Sequence, residues 1–173
     1  MKILINFGHA VNGTDYGACG NGLREAEVNK TIGETLAQYL KSYGYTVVTY
    51  QQTKSVNDVW RFENQGDYDL FISIHTNSFN STSNGHEVLY YPTSTKGKNL
   101  AQQIQASLVK NVGLRDRGIK PRKDLCVLKR TKSIAVLVET AFISNPNEAR
   151  LLRDKPDLFA RAIAIGVKNY LNS

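Results

Sequence analysis

The run Asp69-Leu70-Phe71-Ile72-Ser73-Ile74-His75-Thr76-Asn77 constrains this chain more than any other. Its short, β-rich apolar stretch reads as a strand buried on both faces, and it gives way abruptly to a histidine followed by polar residues. The same design recurs twice. Ile3-Leu4-Ile5-Asn6-Phe7 runs into Gly8-His9, and Ile134-Ala135-Val136-Leu137-Val138 runs into Glu139. Three buried strands therefore end in residues that bind metals or move protons. In open α/β sheets ligands bind beyond the carboxyl ends of the strands, so these three ends are expected to converge on one site.

The segments between them alternate in kind. After the strand Lys2–Phe7, the loop from His9 to Gly22 carries four glycines together with Asn12, Thr14, Asp15 and Asn21, a composition suited to a surface loop that wraps a site. Val28, Ile32, Leu36, Tyr39, Leu40 and Tyr43 recur at helical spacing and predict a helix from about Arg24 to Tyr43, stopped by Gly44. Glu25 and Asn29, four apart, would face one direction. Tyr45–Tyr50 reads as a strand, and Ser55 as the cap of a short helix with Val56, Val59 and Trp60. Asn77 to Gly85 reads as a weakly specified, mobile loop. A strand Glu87–Tyr91, a helix Gly97–Val112 and an edge strand Leu125–Leu128 follow, then the buried Ile134–Val138 strand. Asn145-Pro146-Asn147-Glu148 starts a helix toward Leu151-Leu152, and a last helix spans Pro156–Leu171. The expected fold class is α/β: a single domain, residues 1–173, with a largely parallel twisted sheet, helices on both faces and a metal site at the strand C-terminal ends.

With 173 residues, 41% of them hydrophobic, the chain can bury about two-thirds of its unfolded surface as one domain. No apolar run approaches the roughly 20 residues that span a bilayer, and Met1-Lys2 leads into a strand instead of a signal peptide, so synthesis in the cytoplasm is expected. Cys19 and Cys126 are the only cysteines, too few for a disulfide framework. The formal net charge of +7 favours an anionic partner, whether nucleic acid, membrane surface or acidic polymer. The cations are densest from Arg115 to Lys123 and from Lys129 to Lys132.

His9, Glu25, His75 and Glu139 are the candidates for chemistry. Two imidazoles and one carboxylate make a ligand set that leaves a fourth tetrahedral position open, as in catalytic zinc sites, and a second carboxylate can carry the proton of an activated water. Glu25 in a first helical turn is equally explained by the helix dipole. Glu139 is harder to explain otherwise, because a carboxylate directly after Ile-Ala-Val-Leu-Val stays buried only when paired or bound.

Four segments carry a resemblance: Asn6-Phe7-Gly8-His9 with Asp15-Tyr16-Gly17-Ala18; Leu23-Arg24-Glu25-Ala26-Glu27-Val28-Asn29; Phe71-Ile72-Ser73-Ile74-His75-Thr76-Asn77; and Val138-Glu139-Thr140-Ala141-Phe142-Ile143-Ser144-Asn145-Pro146. In this order they resemble the zinc-dependent N-acetylmuramoyl-L-alanine amidases of the amidase-3 family, in particular the catalytic domains of phage endolysins. The resemblance implies that His9, Glu25 and His75 are zinc ligands and Glu139 the catalytic carboxylate. It also implies that the substrate is peptidoglycan, cut between N-acetylmuramic acid and the first L-alanine of the stem. A monomer without nucleic-acid or membrane partners is expected, made in the host cytoplasm, acting on the wall after release and lacking a wall-binding domain. The sequence departs from the family pattern at Ala10-Val11, where a second glycine is common, and at His86, where a small residue is common; for His86 an exposed strand start is expected ahead of the alternative, a substrate contact. Cys19, between two ligands in sequence, is a further metal donor to test, and Asn29 and Asn77 are candidates to orient ligands or substrate. Two rival readings share these residues: a zinc peptidase or deacetylase acting on another amide, and a non-enzymatic module that binds nucleic acid or wall polymer through the basic loops.

Overall fold

The computed structural model describes residues 1–13, 15–53 and 55–173; Thr14, one of the polar residues of the first long loop, lies outside the described residues. In chain order the elements are β1 (Lys2–Phe7), β2 (Cys19–Gly20), β3 (Leu23–Arg24), α1 (Glu25–Ser42), β4 (Thr46–Gln51), α2 (Val56–Gln65), β5 (Leu70–Asn77) and β6 (His86–Tyr90). There follow α3 (Thr95–Val112), β7 (Asp116–Pro121), α4 (Cys126–Lys129), β8 (Ile134–Phe142), α5 (Pro146–Asp154) and α6 (Pro156–Leu171). Six strands form one sheet in the order β4-β1-β5-β8-β6-β7, and β2 and β3 pair as a small hairpin. The β4, β1, β5 and β8 strands run parallel; β6 is antiparallel to β8, and β7 is parallel to β6. The expected largely parallel α/β sheet is thus mixed at one edge.

Side-chain alternation sorts the core into two layers. Ile3, Ile5, Ile72, Ile74, Val136 and Val138 point to one face and pack under α1, α3 and α6. Leu4, Phe71, Leu89, Ala135 and Leu137 point to the other, where Val59 of α2 and Val127 and Leu128 of α4 cover them. Both faces of the central strands are buried, which is why those strands read as continuous apolar runs. Truncating a fully buried side chain such as Leu4 or Phe71 to alanine would cost about 2–5 kcal/mol.

Several elements differ from the sequence expectation. Leu125–Leu128 is not an edge strand: the Leu125 carbonyl accepts from the backbone of Leu128 and Lys129, closing a helical turn that buries Val127 and Leu128 side by side. The edge is instead β7, inside the basic stretch, where Asp-Arg-Gly-Ile-Lys-Pro has little strand propensity and is held by its ladder to β6. Gly118 adopts φ +76° there, and the register with β6 shifts between His86 and Val88. Neither β5 nor β8 stops at its functional residue; their pairing continues past His75 and Glu139 to Asn77 and Phe142. The loop after β5 is not loosely specified. Asn80 Oδ1 accepts from the backbone and hydroxyl groups of Thr82 and Ser83, and Asn145 Nδ2 donates to the Ser83 carbonyl at 3.1 Å.

His86 is fully buried, contrary to expectation, because Glu87 takes the opposite face of β6 and sends His86 toward α3. Both of its ring nitrogens lack a partner among the described residues. Burial lowers its pKa from 6.5 to about 4, against the opposing pull of the Asp116 charge and of the Thr140 backbone beside the ring. In the unfolded chain the imidazole takes up a proton below about pH 6.5, whereas the folded chain resists until about pH 4, so stability falls as pH drops through this window. His86→Leu is expected to flatten that decline by roughly 3 kcal/mol, read from denaturant midpoints at pH 7 and pH 4. Parallel curves for the two proteins would remove His86 as the cause.

Candidate metal centre and active site

The site begins where β1 ends. His9 has φ +63°, a left-handed conformation uncommon for a residue with a side chain and typical of positions strained for function. The turn is held by Gln51, whose side-chain amide donates to the carbonyls of Phe7 and His9. It is also held by the Ala10 N–H, which donates to the Asp15 carbonyl at 2.7 Å. The Asp15 carboxylate lies 2.8 Å from His9 Nδ1 and accepts from Gln52 Nε2 at 3.2 Å. A proton on Nδ1 facing Asp15 leaves the lone pair of Nε2 aimed inward, the usual way a carboxylate orients a metal-binding imidazole.

Glu25 arrives from a different direction. It opens α1, whose first turn lacks a side-chain cap; the Ala18 and Tyr16 carbonyls accept from the Glu25 and Ala26 N–H groups instead. The Glu25 side chain therefore does not serve the helix terminus alone. It is buried, accepts from Ala18 N at 2.8 Å and Thr76 N at 3.1 Å, and lies 3.1 Å from His75 Nδ1 and 3.4 Å from His9 Nε2. Asn29, one turn on, donates to Glu25 and to the Gly8 carbonyl while accepting from Thr76 Oγ1, which ties the Glu25 carboxylate to the ends of β1 and β5. Burial pushes the Glu25 carboxyl up, but the hydrogen bond and charge of His75, the charge of His9 and the Ala18 N–H outweigh it. The net pKa falls to about 2.

One donor atom from each of His9, Glu25 and His75 lies within 4.8 Å of the other two. Each Glu25 oxygen faces an imidazole nitrogen. A carboxylate between two imidazoles is held either by protons on the rings or by a single cation that all three donors share. Two nitrogens and one carboxylate oxygen suit a borderline-soft divalent ion such as zinc. Cys19 is not part of this group; it is exposed on the β2–β3 hairpin.

Two glycines make the close packing feasible. A Cβ on Gly8 would collide with the His75 ring, and one on Gly17, which holds φ +70°, would come 2.5 Å from Glu25 Oε2 and 2.6 Å from His9 Cδ2. Gly17→Ala is expected to cost more than the roughly 1 kcal/mol of a left-handed alanine and to lower metal affinity with it, measured by thermal denaturation and competition with a chromogenic chelator. Unchanged affinity would show that the loop relaxes without moving either ligand.

Glu139 stands beside His75 as its register partner across β5 and β8, and opposite Glu87 across β8 and β6. Its Oε2 is shut off from solvent and has no hydrogen-bond partner among the described residues. Burial, then the charges of Glu25 and Glu87, push its pKa up to about 8, with Arg122 opposing. Glu87, by contrast, is satisfied. It lies 2.8 Å from Arg117 Nε and 2.7 Å from Lys120 Nζ, and accepts from Asn77 Nδ2 at 3.2 Å. Burial raises its pKa, and the hydrogen bonds and charges of Lys120 and Arg117 outweigh that and lower it. The two glutamates facing each other across the ladder thus differ sharply: Glu87 is fixed as an anion by two cations, and Glu139 Oε2 has no such partner among the described residues. Asp15, Glu87 and the two cations have no signature of their own in the sequence; they are found only through the ladder and the loop.

Residues 3–169 match the N-acetylmuramoyl-L-alanine amidase family, Amidase_3. The chain belongs to this family. Among other members of this amidase family, N-acetylmuramoyl-L-alanine amidase LytC of Bacillus subtilis is 39% identical over 176 residues, covering 97% of this chain and 35% of that protein. The endolysin of Bacillus phage SPP1 is 32% identical, over 95% of this chain and 62% of the endolysin. The chain thus spans only part of the length of both. The crystal structure of N-acetylmuramoyl-L-alanine amidase from Clostridium difficile 630 superimposes with a TM-score of 0.92 at 31% identity, covering 99% of this chain and 97% of that one.

Proposed function

We propose that this amidase-family chain is a peptidoglycan hydrolase that cuts the amide between N-acetylmuramic acid and the L-alanine of the stem, using zinc held by His9, Glu25 and His75. One observation carries the reading: three donors gathered within 4.8 Å stand beside the half-buried carboxylate of Glu139, one of whose oxygens is shut off from solvent and unpartnered. Bound there, zinc would supply the Lewis acidity that polarises the scissile carbonyl and makes water easier to deprotonate. The chain's own residues do the rest. Asp15 holds the His9 imidazole in the tautomer that points Nε2 inward, and the Asn29–Thr76 network fixes the Glu25 carboxylate. Glu139 takes the attacking water's proton and delivers it to the alanine nitrogen as the C–N bond breaks, leaving a muramic carboxyl and a free amine. Glu87 is held as an anion opposite Glu139 by Arg117 and Lys120, so it does not compete for the proton. The similarity to the phage SPP1 endolysin supports a lytic role on the cell wall, and the match over residues 3–169 supports reading the chain as a catalytic domain.

Digesting purified peptidoglycan with and without a chelator tests the reading. New N-terminal L-alanine on intact glycan chains, lost with chelator and regained with zinc, is the expected result. New ends elsewhere in the stem would keep the metal site and make the protein a peptidase. Salt-sensitive binding with no new ends would favour a wall-binding module, a reading that leaves Glu139 without a role.

A further inference from the structure

Phe79 is 80% exposed, more than the other large exposed apolar residues, Met1 at 57% and Val56 at 39%. It follows His75 by four residues, so its Cα lies within about 14 Å of the Cα of that ligand. The backbone that carries it is tied down on both sides. Ser78 N donates to Asn77 Oδ1 at 2.9 Å, Phe79 N donates to Ser144 Oγ at 3.1 Å, and Ser144 Oγ donates to the Asn80 carbonyl at 3.1 Å. At the far end of the loop Gly85 N donates to the buried Glu148 carboxylate at 2.7 Å. Ser144 follows Glu139 by five residues, so the segment after the proton-carrying carboxylate anchors this loop. A single exposed aromatic is ordinary on a protein surface; what sets Phe79 apart is its place, four residues past His75 on a loop pinned to the segment after Glu139.

The charges around the site say which part of a peptidoglycan substrate that is. Residues 78–84 contain no ionisable side chain, whereas residues 115–123 contain five cations and one acid. Arg117 and Lys120 in that second stretch pair with Glu87, directly opposite Glu139, and Arg122 with Asp124, and the five cations still outnumber Asp116, Glu87 and Asp124. The scissile amide joins an uncharged sugar to a peptide that bears free carboxylates. The peptide is drawn to the cationic edge, and the neutral, aromatic loop is left to the sugar. We infer that Phe79 is a stacking platform for a sugar ring of the glycan strand, fixing the direction in which the substrate crosses the site. This rests on the amidase reading for the identity of the substrate.

The test separates the two. Peptide-free oligosaccharides of alternating N-acetylglucosamine and N-acetylmuramic acid are titrated into isotopically labelled protein and followed by amide chemical shifts. Wild type should show shifts centred on residues 78–84, Phe79→Ala should weaken binding about three- to tenfold, and Phe79→Trp should restore it. On polymeric peptidoglycan the loss in Phe79→Ala should fall on KM and leave kcat. Because Phe79 is so exposed, its substitution should leave the melting temperature in place, which excludes misfolding as the cause. Equal oligosaccharide binding by wild type and Phe79→Ala would overturn the inference. So would a loss confined to glycan-free stem peptide. Oligosaccharide binding through Phe79 by a protein that releases no L-alanine ends would keep the platform and discard the amidase reading.

Discussion

Glu139→Gln is expected to lower kcat on peptidoglycan by about 10²- to 10⁴-fold, the range lost when a positioned acid–base group is removed, while zinc content stays at the wild-type level. The amide matches the carboxyl in shape but cannot accept a proton from water. Stability should move the other way. The wild-type fold holds a carboxylate whose Oε2 has no partner and whose pKa burial, Glu25 and Glu87 raise to about 8, and the neutral amide escapes that cost. A variant that melts at the same or higher temperature but hardly turns over marks a residue kept for chemistry at the expense of the fold. The pH profile supplies a second readout. As a base Glu139 works only when ionised, so the wild-type rate should rise with pH through its titration. A nearby divalent cation favours the anion and moves that limb below pH 8. The residual activity of Glu139→Gln should lack the limb altogether. A variant that keeps most of its turnover would take Glu139 out of the mechanism.

How much of this was legible in the chain depends on whether the physics was local. Helices α1 and α6 follow from apolar residues recurring at helical spacing, and β1, β5 and β8 from runs too apolar to face water. The β7 edge was not legible, because Asp116–Pro121 has no strand character and forms through its partner β6. The helical turn at α4 was missed for the opposite reason: a four-residue apolar run fits a strand or a helix equally well. His86 read as exposed because the residue carries no mark of which face it takes; the position of Glu87 opposite Glu139 decides that. At the site, His9, His75 and Glu139 stood out by ending apolar runs. The choice between helix-dipole partner and ligand for Glu25 stayed open in the residues and rested on family resemblance. The fold buries the carboxylate between two imidazoles while neighbouring carbonyls satisfy the helix terminus, an arrangement no local pattern displays. Asp15 was visible only as one polar residue in a loop, since nothing six residues from a histidine announces that it will turn back onto Nδ1.

Removal of a ligand should produce the other large effect. His75→Ala and His9→Ala are each expected to lose bound zinc, measured by elemental analysis after gel filtration, and with it essentially all hydrolysis. Asp15→Ala provides the graded comparison. It leaves all three donors in place but frees the His9 ring, so affinity should fall by the 10- to 100-fold range of outer-shell partners, and excess zinc should restore activity. Stability reports the same ordering without any assay of turnover. A metal bound only by the folded state stabilises it by about 4 kcal/mol at a thousandfold excess over Kd, which for a domain of this size is a rise of roughly 10 °C. Wild type should show that zinc-dependent rise, Asp15→Ala should need more zinc to reach it, and His75→Ala should show none. The apo form of His75→Ala should also melt below apo wild type, because Glu25 stays buried after losing the hydrogen bond and charge that hold its pKa near 2. Full zinc occupancy in either histidine variant would refute the ligand set, since the three donors of His9, Glu25 and His75 are the only such group among the described residues.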